Sequence, residues 1–201
     1  MDQIKNGGPE VHAVVEVERH IAAGWLRLPA EPWPRHVRLC GSTSSDEIVL
    51  LIATMASYGN DPAASSVEEI MEDFPSILPG GLCVRHGDRL IRPGCCCGLE
   101  DWVEWERFLV DGTHPWTGHS PAPLLELAGD EVHVWSDGAM DPKLRPGTPI
   151  VLTRSGFAKA LSDVALDLEA FLGPLGSWLN LNAPRQAASF LSSFRSAFVL
   201  R

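Results

Sequence analysis

Residues 124–135 read LLELAGDEVHVW, and this stretch predicts an antiparallel β-hairpin. In 131–135 apolar and polar side chains alternate, as they do in a strand with one buried face. Ala128-Gly129-Asp130 supplies a short turn between the two strands. A second hairpin is predicted upstream, where 82–84 and 89–91 flank a turn sequence rich in polar residues and glycine. The centre of the chain should therefore hold an antiparallel sheet of short strands.

Segments with helical periodicity lie on either side of the hairpin at 124–135. The apolar residues of 99–110 recur at helical intervals, and a glycine follows them as a stop signal. A short strand is predicted over 150–153, followed by a long helix that we expect Ser155 to cap. Gly173-Pro174 is expected to kink or end that helix, and a further helix is predicted after Pro184.

The N-terminal part of the chain is predicted to be mainly helical. Residues 11–28 favour an amphipathic helix, with a strand that passes into a helix as the alternative. Ser45 or Asp46 is expected to cap a buried helix whose body is 48–58. Another helix is expected to start at Pro62 and to stop at Pro75.

These elements predict one α+β domain, a mainly antiparallel sheet of short strands packed by helices, with a helical C-terminus. We divide it into an N-terminal helical part of about 1–77, a sheet-containing core of about 78–154 and C-terminal helices of about 155–201. The 201 residues, 45% of them hydrophobic, suit one globular domain and exclude a disordered chain. Because 1–8 lack a secretory pattern and no apolar run approaches ~20 residues, we expect a cytoplasmic protein with no membrane span.

The charge of the chain is concentrated in one segment. The net charge is -10, and residues 100–141 contain ten acidic side chains and a single basic one, Arg107. Binding to nucleic acid needs clustered lysine and arginine, so a general nucleic-acid-binding role is excluded. A dense acidic surface can instead steer a basic protein partner, although it can also serve only to keep the protein soluble.

Tryptophan residues accompany this acidic segment, and tryptophan is enriched at the energetic centres of protein interfaces. We therefore predict a partner-binding face in which carboxylates steer the partner and indoles supply the contact area. Its predicted residues are Asp101, Trp102, Glu104, Trp105, Glu106, Asp111 and Trp116. The alternative for Trp102 and Trp105 is that they dock their helix on the sheet.

The five cysteines include a consecutive run, Cys95-Cys96-Cys97. In an extended chain alternate side chains share a face, so Cys95 and Cys97 could act together while Cys96 turns away. No cofactor is expected, since free cysteines commonly pack as small buried hydrophobic residues. The alternative is a zinc site, whose four ligands would be Cys95, Cys97, His114 and His119.

Sequence motifs of common enzyme classes are missing. The chain has no G-x-S-x-G, H-E-x-x-H, Walker A or G-x-G-x-x-G pattern, so a hydrolase, a zinc protease and a nucleotide-dependent enzyme lack support. A non-catalytic binding role is therefore favoured. A metal-dependent or thiol enzyme built around the cysteine and histidine residues is the alternative, and a subunit of a larger complex is a third possibility.

The C-terminal part also offers a family resemblance. A strand with the sequence VHVWSD at 132–137 is followed by a strand at 149–152 and by a helix that Phe157 leads and that contains LEAFL at 168–172. This order resembles the C-terminal half of the SUKH superfamily of bacterial immunity proteins. The resemblance implies a small α+β protein without catalytic activity that binds and neutralises a secreted toxin. The acidic segment would suit a basic nuclease toxin.

Overall fold

The computed structural model describes residues 8–17, 24–58, 63–143 and 145–199. They form helices and two sheets of short strands, which confirms the predicted α+β class and the helical C-terminus. The chain divides into two compact units, each defined by the contacts within it. The first comprises Met1–His12, Gly81–Cys97 and Asp101–Val164, and the second comprises Ala13–Gly80, Gly98–Glu100 and Ala165–Arg201.

Seven described strands build the two sheets. The four-stranded sheet contains β1 (Glu10–Glu16), β2 (His36–Arg38), β3 (Gly80–His86) and β4 (Arg89–Ile91), in the order β2-β1-β3-β4. The three-stranded sheet contains β5 (Leu124–Ala128), β6 (Glu131–Trp135) and β7 (Ile150–Thr153), in the order β5-β6-β7. Both predicted hairpins are confirmed, since β3 pairs with β4 and β5 pairs with β6, each antiparallel.

The register of the second hairpin follows its alternating sequence. Leu125 lies opposite Val134 and Leu127 lies opposite Val132, so the apolar residues of both strands share one face. Val132 and Val134 are fully buried, and Gly129 makes the turn with a φ of +63°. β7 adds a third strand on the other side of β6.

The predicted helix over 11–28 is wrong for 11–16, which belong to the strand β1, so the strand part of the alternative holds there. β1 is rich in valine, whose branched side chain favours a strand, and it pairs with β2 so that Val15 lies opposite Val37. The N-terminal part is therefore not purely helical. Residues 18–23 of the predicted helix lie outside the described residues.

The described helices are five α-helices and two short segments of other helix types. The α-helices are α1 (Ser45–Ser57), α2 (Val67–Glu72), α3 (Glu104–Asp111), α4 (Arg154–Asn182) and α5 (Ala187–Phe194). A 3₁₀ helix over Leu99–Val103 precedes α3, and a π-helical turn over Arg195–Val199 follows α5. Among the described residues, no helix combines the length and the apolar character that a membrane crossing requires.

The start of α1 differs by one or two residues from the prediction. Ser44 is the N-cap, where we predicted Ser45 or Asp46. Ser44 has extended backbone angles, its hydroxyl accepts the N–H of Glu47, and the Glu47 carboxylate accepts the N–H of Ser44 at 2.8 Å. This reciprocal arrangement satisfies two N–H groups that a helix start otherwise leaves without partners.

The start of α2 also lies later than predicted. α2 begins at Val67 after the N-cap Ser66, whose hydroxyl accepts the N–H of Glu69 at 3.1 Å. Pro62, where we predicted the start, lies outside the described residues. The serine provides an acceptor for an orphan N–H group, which a proline ring does not have.

Two expectations for α4 are corrected as well. Thr153 rather than Ser155 caps its first turn, because the Thr153 hydroxyl accepts the N–H of Gly156 at 3.0 Å. The helix also continues through Pro174 to Asn182, so Gly173-Pro174 does not end it. In the second unit Phe171 is buried on α4 and packs against Phe194 of α5, with ring centroids 5.6 Å apart.

Candidate functional site

The helical segment 99–111 confirms the predicted helix and determines where its tryptophans point. Trp102 is 1% exposed and Trp105 is 3% exposed, and the Trp105 ring stacks on Phe157 at a centroid distance of 6.0 Å. Gly112, with a φ of +77°, ends α3. The assignment of Trp102 and Trp105 to a partner-binding face is therefore wrong for this conformation, because an amphipathic helix uses its large apolar side chains for the core.

The acidic side chains of this segment remain accessible. Asp101, Glu104 and Glu106 are half-buried and Asp111 is exposed. Burial, and secondarily the nearby Glu104 charge, raise the pKa of Asp101. Hydrogen bonds from Thr113, including its backbone N–H at 2.8 Å, lower the pKa of Asp111.

The helical repeat separates these four residues into two groups. The buried stripe of α3 contains Trp105 and Phe108. At ~100° per residue, Glu104 and Asp111 lie on the same side of α3, along one border of this stripe. Glu106 lies about 200° from Glu104, on the opposite border of that stripe. Asp101, in the preceding 3₁₀ helix, lies close enough to Glu104 for their charges to interact. Asp101, Glu104 and Asp111 therefore form one acidic group, and Glu106 lies apart from it.

Trp116 is the tryptophan of the predicted face that is exposed, at 38%. Its backbone N–H donates to the Glu104 carboxylate at 2.8 Å, and its indole N–H donates to the Cys96 carbonyl oxygen at 3.0 Å. The indole also meets the His119 ring edge to face, with centroids 5.1 Å apart. Trp116 therefore connects the acidic helix with the cysteine run.

The cysteine run and the loop before β5 are joined by a short antiparallel bridge. Gly94 N–H donates to the Thr117 carbonyl at 2.8 Å, and His119 N–H donates to the Cys95 carbonyl at 3.0 Å. The two backbones approach so closely that a Cβ on Gly118 would lie 2.6 Å from the Cys95 carbonyl oxygen. Glycine, which also permits the φ of +98° at Gly118, is what allows this approach.

Cys96 departs from the extended geometry that we assumed for the run. Its φ is +62°, a left-handed conformation that turns the chain between Cys95 and Cys97. As a result the Sγ atoms of Cys95 and Cys96 and a ring nitrogen of His119 lie within 4.8 Å of one another, and all three residues are exposed. The prediction that Cys96 turns away from Cys95 is therefore wrong.

Cys97 and His114 do not join this group. Cys97 is 5% exposed, and its thiol donates to the Trp116 carbonyl oxygen at 3.6 Å. His114 Nε2 accepts the N–H of Leu125 at 3.0 Å, so the ring braces the start of β5. The four predicted zinc ligands therefore do not converge, and Cys95 and His119 stay together with Cys96 in place of the other two.

Loss of contact with water shifts the pKa values of two ionisable groups, the half-buried His114 and the buried Cys83. Burial lowers the pKa of His114, although a hydrogen bond to the Pro115 backbone opposes the shift. Burial raises the pKa of the Cys83 thiol to about 12, against the opposing charges of Arg92 and Arg85. Both groups are therefore held in their neutral forms at pH 7, as expected of structural residues.

Comparison with models of protein families, with curated proteins and with solved structures finds no match. The resemblance of the C-terminal part to the SUKH superfamily stays a prediction.

Proposed function

We propose that the protein is a protein-binding module that captures a basic protein through a surface formed by Asp101, Glu104, Asp111 and Trp116. We call this the acidic tryptophan surface. The observation that carries the proposal is the hydrogen bond from the Trp116 N–H to the Glu104 carboxylate, 2.8 Å long, which joins an exposed indole to an acidic helix. All four residues belong to the first unit.

The indole of Trp116 has the properties of an interface anchor. It is 38% exposed, and a hydrogen bond to the Cys96 carbonyl fixes its orientation. A side chain already ordered before binding loses less conformational entropy on association than a mobile one, for which the loss is about 0.5–1.5 kcal/mol. Tryptophan in such a position frequently provides a large share of binding energy.

The surrounding charge would accelerate the encounter with a cationic partner. Residues 100–141 contain ten acidic side chains against Arg107 alone. Complementary potentials raise association rates by about 10- to 1000-fold at low salt, and salt removes this gain. Such a surface therefore favours basic proteins over neutral or acidic ones.

The class of partner follows from the family resemblance. SUKH proteins are bacterial immunity proteins, so we propose that the module acts in the bacterial cytoplasm and neutralises a toxin domain by occluding its functional surface. A basic nuclease domain has the charge that the acidic tryptophan surface would recognise, since such a domain must itself bind phosphates. No catalytic step by this chain is needed for that role.

The test is capture of a partner by the purified protein, followed by binding kinetics with matched variants. Trp116→Ala removes the anchor, and the pair Asp101→Lys with Asp111→Lys reverses the charge of the acidic tryptophan surface. The pair Glu72→Lys with Asp73→Lys is the control, because both residues are exposed and lie in the second unit. It changes the net charge by the same amount at a different place.

We expect a basic partner bound one to one. Trp116→Ala should weaken its binding at least about 30-fold, the effect of a hot-spot residue. The Asp101/Asp111 reversal should slow association at least about tenfold at low salt, while the control pair leaves the rate within about twofold. Failure to capture any basic partner, or equal effects of the two reversals, would reject the proposal.

A further inference from the structure

We propose that Cys95, Cys96 and His119 form a binding site for one thiophilic divalent metal ion, with Zn²⁺ as the representative ion. Its donors are not residues of the acidic tryptophan surface, although Trp116 of that surface contacts them, and the inference does not depend on the proposed function. Its donors are two sulfur atoms and one imidazole nitrogen, which lie within 4.8 Å of one another. Thiolate and imidazole are the ligands that Zn²⁺ prefers in proteins.

The backbone brings these donors together through contacts that are already formed. The hydrogen bond from the His119 N–H to the Cys95 carbonyl, at 3.0 Å, pairs the backbones of these two residues in an antiparallel bridge. The positive φ of Cys96 then brings the second thiol to the side of the first. Such a backbone conformation is uncommon for a residue other than glycine, and it clusters at functional sites.

The spacing of the donors fits a tetrahedral ion after a small adjustment. Zn–S bonds of about 2.3 Å and Zn–N bonds of about 2.0 Å place neighbouring donors about 3.5–3.8 Å apart. From separations of at most 4.8 Å, the donors must therefore approach one another by no more than about 1.0–1.3 Å. Because all three side chains are exposed, rotation about their χ angles can supply this movement without disturbing the core.

Three protein ligands leave one position of a tetrahedral ion open. In zinc proteins, three protein ligands with an open fourth position characterise exchangeable or catalytic sites, whereas structural sites have four. The exposure of all three donors means that water or a solute can take that position. Both cysteines bind the ion as thiolates, so metal binding is coupled to release of thiol protons.

Trp116 provides both support and a signal for this site. Its indole N–H holds the Cys96 carbonyl at 3.0 Å, and its ring contacts His119 edge to face. Coordination of the His119 imidazole would change the surroundings of the indole, and therefore its fluorescence. Trp116→Phe keeps an aromatic ring but loses the N–H donor, so it should weaken metal binding about tenfold, the lower range for an outer-shell partner.

The experiment uses the full chain, reduced and freed of metal, and titrates it with Zn²⁺ against a chromophoric chelator and separately with Co²⁺. Co²⁺ reports thiolate ligation through its charge-transfer absorption. The ligand variants are Cys95→Ser, Cys96→Ser and His119→Gln. The matched controls are Cys97→Ser, a buried neighbour in the same run, and His133→Gln, a half-buried histidine on β6.

We expect one Zn²⁺ per chain and a thiolate-to-cobalt absorption band. Each ligand variant should weaken Zn²⁺ binding more than about a hundredfold, beyond the effect of losing an outer-shell partner, while both controls bind as the wild type does. Circular dichroism should show the three ligand variants folded, because their side chains are exposed, and it establishes whether each control variant is folded. Absence of stoichiometric binding, retained binding in Cys96→Ser or His119→Gln, or loss of binding in the folded control Cys97→Ser would overturn the proposal.

Discussion

Substitution of Gly118 by alanine tests how closely the backbone of the cysteine run approaches the loop before β5. Gly118 has a φ of +98°, and a Cβ placed there would lie 2.6 Å from both the Cys95 carbonyl oxygen and the Gly94 carbonyl carbon. Real Cβ atoms do not approach backbone atoms this closely, so one of the two segments must move. The movement would break the hydrogen bonds on either side of the contact.

The magnitude follows from two contributions. A residue with a Cβ in the left-handed region costs about 1–2 kcal/mol relative to glycine. The two flanking hydrogen bonds, Gly94 N–H to Thr117 and His119 N–H to Cys95, contribute about 0.5–1.5 kcal/mol each. We therefore expect Gly118→Ala to lower the free energy of unfolding by about 2–5 kcal/mol, a large part of the stability of an ordinary domain.

Gly129→Ala is the matched control. Gly129 also has a positive φ, +63°, but a Cβ there meets no atom within 4 Å. It should lose only the conformational part, about 1–2 kcal/mol before the opposing gain from a less flexible unfolded chain. Urea unfolding of both variants measures the difference. Equal losses in the two proteins would refute the close contact at Gly118.

Two further predictions concern the buried ionisable groups. Folding lowers the pKa of His114 below its value of about 6.5 in the unfolded chain. As the pH falls below about 6.5, the unfolded chain is therefore protonated at His114 before the folded protein is. The free energy of unfolding then decreases by up to about 1.4 kcal/mol per pH unit until the pH reaches the pKa of the folded state. His114→Gln should flatten this dependence in urea titrations between pH 7 and 5, and an unchanged slope would contradict the assignment. In native protein at pH 8, alkylation should modify Cys95 and Cys96 well before Cys83, whose pKa of about 12 leaves almost no thiolate. Mass spectrometry of peptides would show this order, and equally rapid labelling of Cys83 would exclude its burial.

The sequence predicts those parts of the fold that short-range patterns determine. The hairpin of β5 and β6 was predictable because its alternation and its turn lie within twelve consecutive residues, 124–135. β1 was not, because Val15 pairs with Val37 and the apolar spacing of 11–28 also suits a helix. Pairing with a strand distant in the sequence therefore determines that 10–16 form a strand and not a helix.

The candidate site was predictable in its residue types but not in its geometry. The acidic residues and the cysteine run were evident in the sequence. The positive φ of Cys96 was not, because residues other than glycine rarely adopt it and nothing in the neighbouring sequence indicates it. Likewise, the spacing of Trp102 and Trp105 predicts a helix but does not determine whether their side chains face the core or the solvent. Contact with Phe157, far along the chain, places Trp105 in the core.

Because α4 continues through Pro174, its full length depends on the packing of the folded protein and not on the helix propensity of its own sequence. Proline in a helix interior removes one backbone hydrogen bond and costs about 3 kcal/mol or more. Phe171 and Leu175, both fully buried, lie on either side of Pro174 and anchor the two halves of the helix by packing. A peptide of residues 154–182 alone lacks that packing, so it would separate into two short helical stretches at the proline. The continuous helix exists only while the core around it is intact.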